Sequence, residues 1–96
     1  MKYLEKNNFE EEIKNGLWLV DFFTTWCGPC QMMNPILENL DVNILKVDVD
    51  KFNELSNKFG IMSVPTLIFF KDGEKKEQLI GFQDEETLCE IIDNLS

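Results

Sequence analysis

Residues 17–30 read Leu17-Trp18-Leu19-Val20-Asp21-Phe22-Phe23-Thr24-Thr25-Trp26-Cys27-Gly28-Pro29-Cys30. The first seven are apolar except for Asp21, the pattern of a strand buried on both faces. Trp26 to Cys30 then fall at the turn from that strand into a helix. Two cysteines at this spacing form a dithiol that can close and reopen. The first stands at the predicted helix start, where unpaired backbone N–H groups and the helix dipole favour a thiolate. Half of a zinc site has the same spacing, so the pair by itself leaves thiol exchange and metal binding both open.

On either side of this stretch the chain is evenly punctuated. Residues 2–4 suit a short edge strand. Asn8 with Glu11 resembles a capping box ahead of Phe9 and Ile13, and Gly16 suits a helix stop. After the cysteines, Met32, Met33, Ile36, Leu37 and Leu40 recur at helical spacing over residues 29–40, with both methionines expected in the core and Pro35 expected to kink the helix. Residues 44–49 alternate as a strand, and a short helix over 52–59 ends at Gly60. Thr66-Leu67-Ile68-Phe69-Phe70 reads as another buried strand. Asp72-Gly73 is a strong hairpin signal, so residues 75–80 are expected to pair antiparallel with it. Asp84 caps a last helix whose apolar face is Leu88, Ile91, Ile92 and Leu95. The order predicts an α/β domain over residues 1–96: a mixed central sheet, parallel until its final antiparallel hairpin, with four helices on its two faces.

Composition narrows the function. The chain has 96 residues, 44% of them apolar and eight of them Phe, enough for one packed core. Nine Lys against eighteen acidic residues give a net charge of −9, which argues against nucleic acid or an anionic membrane as partner. There is no His, which removes Cys–His and Ser–His catalysis and every His-containing metal site. No apolar segment follows Met1, so the expected location is the cytoplasm, where a vicinal thiol pair is more often catalytic than structural.

Taken together, Val20-Asp21-Phe22, Trp26-Cys27-Gly28-Pro29-Cys30, Pro35, Lys46 to Asp50, Val64-Pro65-Thr66, Lys71-Asp72-Gly73 and Gly81 resemble the thioredoxin family over nearly the whole chain. The resemblance implies a thioredoxin fold and a small protein disulfide reductase with no bound cofactor or metal. Its partners are then disulfide-containing proteins and a thioredoxin reductase that recharges it. It also implies a cis Val64–Pro65 bond beside the dithiol. The chain departs from the commonest family pattern at Phe23, Gln31 and Ser63, where a Trp, a basic residue and a Gly are frequent.

Within that resemblance Cys27 is the attacking thiolate, expected exposed at the helix start, and Cys30 resolves the mixed disulfide. Lowering a thiol pKa from about 8.5 to about 7 raises its thiolate fraction roughly fifteen-fold at neutral pH, while nucleophilicity falls roughly five-fold. The net gain is about three-fold, small beside the effective molarity of about 10⁵ M that an intramolecular attack by Cys30 can reach. Spacing therefore outweighs acidity. Gly28 and Pro29 set the turn, Pro29 at a position where its missing N–H costs nothing, and Gly-Pro resembles the reducing members of the family.

Asp21 is a carboxylate in an apolar strand, where burial without a partner is costly. It is read as the proton acceptor for Cys30, through water, with Lys46 as its neighbour. Trp26, Val64, Ile80, Gly81 and Phe82 are expected to form an apolar docking face around Cys27. Asp48 and Asp50 are read as strand-end alternation rather than a cation site, and Cys89 as a half-buried bystander. The chain is expected to act as a monomer. The competing functions are an oxidant or isomerase of the same fold, a non-catalytic binding module, and a Cys-ligated metal dimer. A reduction potential nearer about −270 mV than about −120 mV separates the reductant from the oxidant.

Overall fold

The computed structural model describes all 96 residues. Five strands form one sheet in the order β1-β3-β2-β4-β5: β1 Lys2–Tyr3, β2 Leu17–Phe23, β3 Asn43–Asp48, β4 Thr66–Lys71 and β5 Glu74–Ile80. The helices are α1 Phe9–Glu12, α2 Gly28–Glu38, α3 Asn53–Lys58 and α4 Glu85–Leu95. Alternation along each strand sends side chains to opposite faces. Val20, Phe22, Leu45, Val47, Ile68 and Phe70 pack with Phe9 and Phe52 on the side of α1 and α3. Leu19, Ile44, Leu67 and Phe69 pack with Met33 and Leu37 of α2 and with Leu88 and Ile92 of α4. The phenylalanines carry much of the first layer. Phe9, Phe59 and Phe70 meet edge to face with centroids 5.5 to 5.6 Å apart, the arrangement that ring quadrupoles favour.

The sheet is mixed, as the sequence predicts, but its direction changes one strand earlier than the hairpin. β1, β3 and β2 are parallel, whereas β4 already runs antiparallel to β2. The cause is the brevity of α3, six residues long. It does not carry the chain back along the sheet, so β4 starts at the end where β3 finished. Phe22 pairs with Thr66, and Thr66 with Ile80. That reversal brings residues 63–66 and 80–82 to the rim where β2 runs into α2.

The hairpin turn has the expected chemistry. Asp72 and Gly73 both have positive φ, 52° and 83°, the pair of values that a two-residue turn between twisted strands demands. Asp72 also braces the turn before β2, its Oδ1 accepting from the Gly16 N–H at 2.7 Å. At the last helix, Asp84 accepts from the Thr87 N–H at 2.9 Å, as a cap should.

Three local expectations are corrected. Asn8 has φ −130° and ψ 34° and makes no cap bond. That backbone is not the extended one from which a side chain reaches the third helical N–H, and the amide donates instead to Glu12 at 3.2 Å. Met32 is 64% exposed while Met33 is fully buried. Neighbours on a helix diverge by about 100°, so two successive methionines cannot share the face of Cys30, Met33 and Leu37. Cys89 is exposed rather than half-buried, for the same reason, beside buried Leu88. Pro35 lies inside α2 without ending it.

Candidate active site

The site is built where β2 ends. Cys27 is the N-cap of α2 in an extended conformation, with Pro29 in the first helical turn. Cys27 and Cys30 are joined as a disulfide with their Cα atoms 5.3 Å apart. The Cys30 N–H donates to Cys27 Sγ at 3.1 Å, so a free backbone donor of the helix start is aimed at that sulfur. Such a bond favours negative charge there once the disulfide opens.

Cys27 is less open than expected. It is 4% exposed, against 1% for Cys30. The loop before β4 closes over it: the Val64 carbonyl oxygen lies 3.8 Å from Cys27 Sγ. The Val64–Pro65 bond is cis. The Gly81 N–H donates to the Pro65 carbonyl at 2.8 Å, and Gly81 has φ +88°, a conformation in which any side chain is strained. Val64, Pro65, Ile80 and Gly81 are thus tied to one another and to Cys27 by the backbone. Trp26 is adjacent and 72% exposed; Ile80 and Phe82 are also exposed. Phe82 is not bonded to the dithiol, but its neighbour Gln83 donates its N–H to Met33 Sδ on α2 at 3.3 Å.

A buried charged pair lies on the face of the sheet that α2 covers, in contact with α2 one turn beyond Cys30. Asp21 pairs with Lys46 across β2 and β3. Both side chains are essentially out of water, at 0% and 2% exposure, with Lys46 Nζ 3.2 Å from Asp21 Oδ2. The ammonium is within ion-pair reach of Oδ2, and Oδ1 has no polar partner. Lys46 Nζ also donates to Asn34 Oδ1 on α2. Phe23 covers the ammonium, its ring centroid 4.6 Å away, and Tyr3 stacks edge-on against Phe23 at 5.9 Å. Burial holds the Asp21 carboxyl above the ordinary carboxylate range, and the charge of Lys46 opposes that rise without cancelling it.

Three contributors escaped the sequence reading. Asp50 Oδ2 accepts from the Trp26 indole N–H at 3.0 Å, so Asp50 orients the tryptophan beside Cys27. Asn34 is a polar residue one turn beyond Cys30, and its interruption of an apolar helix face was the available signal. Met62 is 96% exposed in the loop that leads to Val64, and nothing in its sequence context marks it. Cys89 lies on α4, outside this constellation. Cys89→Ser is expected to leave disulfide-reductase turnover within about two-fold, as surface substitutions usually do. Insulin reduction by the two proteins checks this, and a large loss would give the thiol a part in the reaction.

A disulfide at a helix start, opposite a backbone carbonyl, is suited to one kind of chemistry, thiol–disulfide exchange. The protein is a thiol–disulfide oxidoreductase whose redox group is its own Cys27–Cys30 pair. The thioredoxin family model matches residues 1–94. Thioredoxin from Staphylococcus haemolyticus is 50% identical, with the alignment covering 91% of this chain and 89% of that protein. A point-mutant thioredoxin from Halobacterium salinarum superposes with a TM-score of 0.88 at 36% identity, covering 98% of this chain and 88% of that one. Plasmodium falciparum thioredoxin gives 0.89 at 32% identity over 100% of both chains. The chain belongs to the thioredoxin family.

No helix is long and apolar enough to cross a membrane.

Proposed function

We propose that the chain, residues 1–96 acting as one domain, is a monomeric cytoplasmic reductant of protein disulfides that a thioredoxin reductase recharges. The observation that supports it most is the placement of Cys27 Sγ between the Cys30 N–H and the Val64 carbonyl, at 3.1 and 3.8 Å. The Cys27 thiolate attacks one sulfur of the substrate disulfide. A Cys27–substrate bond forms, the substrate S–S bond breaks, and the released sulfur takes up a proton. Cys30 then gives its proton to Asp21 and attacks Cys27 Sγ, and the substrate leaves as its second thiolate. Two electrons pass from the dithiol to the substrate, and the reductase returns two.

Pro65 has no N–H to crowd the thiols, and its neighbour Val64 presents an extended backbone to the substrate. Trp26, Val64, Ile80, Gly81 and Phe82 form the docking face. Gly28 and Pro29 hold the turn, and Lys46 balances Asp21. The strongly acidic chain, at −9, takes neither nucleic acid nor an anionic membrane as partner.

Insulin reduction tests the reading. With dithiothreitol as electron source the protein is expected to accelerate precipitation of the insulin B chain. With NADPH and a bacterial thioredoxin reductase replacing dithiothreitol, turnover is expected to persist. Failure of the first assay overturns the exchange activity, and failure of the second alone overturns the recharge.

A further inference from the structure

The buried Asp21–Lys46 pair is incompletely matched. Lys46 is shared between two acceptors on different elements, Asp21 on β2 and Asn34 on α2, and its closer contact is with the neutral one. Asp21 Oδ1 is buried with no polar partner, and Oδ2 has only the Lys46 ammonium at 3.2 Å, an arrangement costly enough that it needs a reason. Asn34 follows Cys30 by four positions on α2, so the two lie one turn apart on the same helix face. That face looks onto the layer of Leu19, Ile44 and Leu67, in which alternation also places Asp21 and Lys46.

We propose that Asn34 is a positioning residue for proton transfer: its side-chain carbonyl competes with Asp21 for the Lys46 ammonium, and so weakens the hold of that ammonium on the carboxylate that takes the proton of Cys30. The inference rests on the reading of Asp21 as acceptor of that proton. The proton passes from Cys30 Sγ, through water, to an Asp21 oxygen. The electron pair left on Cys30 Sγ forms the bond to Cys27 Sγ as the Cys27–substrate bond breaks. An ammonium given wholly to Oδ2 would stabilise the ionised carboxylate further, making it a poorer base. Removing Lys46 would leave the carboxylate with no countercharge at all. Asn34 holds the pair between these limits.

Few other groups act on this carboxylate. On β4 its register partner is Leu67, and the layer on that face of the sheet, between it and α2 and α4, is built of Leu19, Met33, Leu37, Ile44, Phe69, Leu88 and Ile92. None of these titrates. On α2 the neighbours are Cys30 and Asn34, and on β3 Lys46. Glu5, Asp48 and Lys51, with Tyr3, line an open cleft of about 740 Å³ that reaches Lys46 from the sheet edge, where solvent screens them.

Two substitutions at the same position test this with opposite signs. Asn34→Ala removes the competing acceptor, and Ala is the stronger helix former. Lys46 then turns fully to Asp21, and the titration midpoint of the Asp21 carboxyl falls, because a better-directed bond from the ammonium favours the ionised form. Asn34→Asp claims the ammonium more strongly and adds a like charge, so the midpoint rises. Carbon NMR of carboxyl-labelled, reduced protein reads the midpoint directly, without turnover. The pH profile of the second exchange step is expected to move with it. An unmoved midpoint in folded Asn34→Ala, or shifts of one sign in both variants, overturns the inference. Midpoints that move in opposite directions while the pH profile stays fixed support the hold of Asn34 on Lys46 and overturn instead the part given to Asp21.

Discussion

Cys27→Ser abolishes reduction of a protein disulfide, while Cys30→Ser leaves the first attack intact and stalls the second; these are the expected results. A serine hydroxyl is not ionised near neutral pH and does not displace a sulfur, so the first variant has no nucleophile. The second forms a mixed disulfide that only external thiol can resolve. Millimolar thiol then replaces an intramolecular one of effective molarity about 10⁵ M, slowing release by up to about 10⁸-fold as an upper bound. The asymmetry follows from the site. Cys27 caps the helix and meets the Val64 carbonyl, whereas Cys30 lies one turn deeper at 1% exposure. The check is trapping from a lysate: Cys30→Ser is expected to accumulate disulfide-linked partners and Cys27→Ser none. Equal trapping by both, or more through Cys30, reverses the assignment.

Asp21→Asn is expected to make the protein more stable at neutral pH and slower in its second step. The carboxyl of the folded protein binds a proton more tightly than the unfolded chain, whose value is about 3.9. Between that value and the raised folded one, the native state holds a proton that the unfolded state has lost. Stability therefore falls as pH rises through this window and levels off above it. Asn imitates the protonated acid and never ionises, so the advantage of the variant is near zero in acid and grows with pH. Buried Lys46 does not reverse this. In acid it faces a neutral group in both proteins, and its attraction for the carboxylate is already contained in the position of the titration. Urea melts from pH 4 to 9, with single-turnover reduction of a disulfide substrate, decide the matter. A variant no more stable than the parent at pH 8, and fully active, would make Asp21 a structural residue only.

Much of this was legible in the sequence because it is written locally. The apolar run 17–23, the Asp72-Gly73 turn and the Asp84 cap each encode their own geometry, and the structure has all three. The Trp-Cys-Gly-Pro-Cys string and the distant Val-Pro-Thr were readable as parts of one site only through their resemblance to a family. What the chain did not disclose depends on partners chosen in three dimensions. The early reversal of β4 follows from how little distance α3 covers, which residue types do not state. Asn8 carried a capping residue's chemistry without a capping residue's backbone. Asn34 and Asp50 act through Lys46 and Trp26, and no short-range pattern links either member of those pairs.

The reversal of β4 also gives the molecule a front and a back. Its front rim gathers Cys27, Val64 and Gly81, while Lys71, paired with Leu17, lies at the back. There the Lys71 ammonium donates to the carbonyl of Leu95, next to Ser96, at 2.5 Å. The tip of the Asp72-Gly73 turn and the end of the last helix therefore share the rim farthest from the sulfurs. Cargo joined at Ser96, whether a resin, a dye or a second protein, trails behind and leaves the reactive end free to meet its substrates.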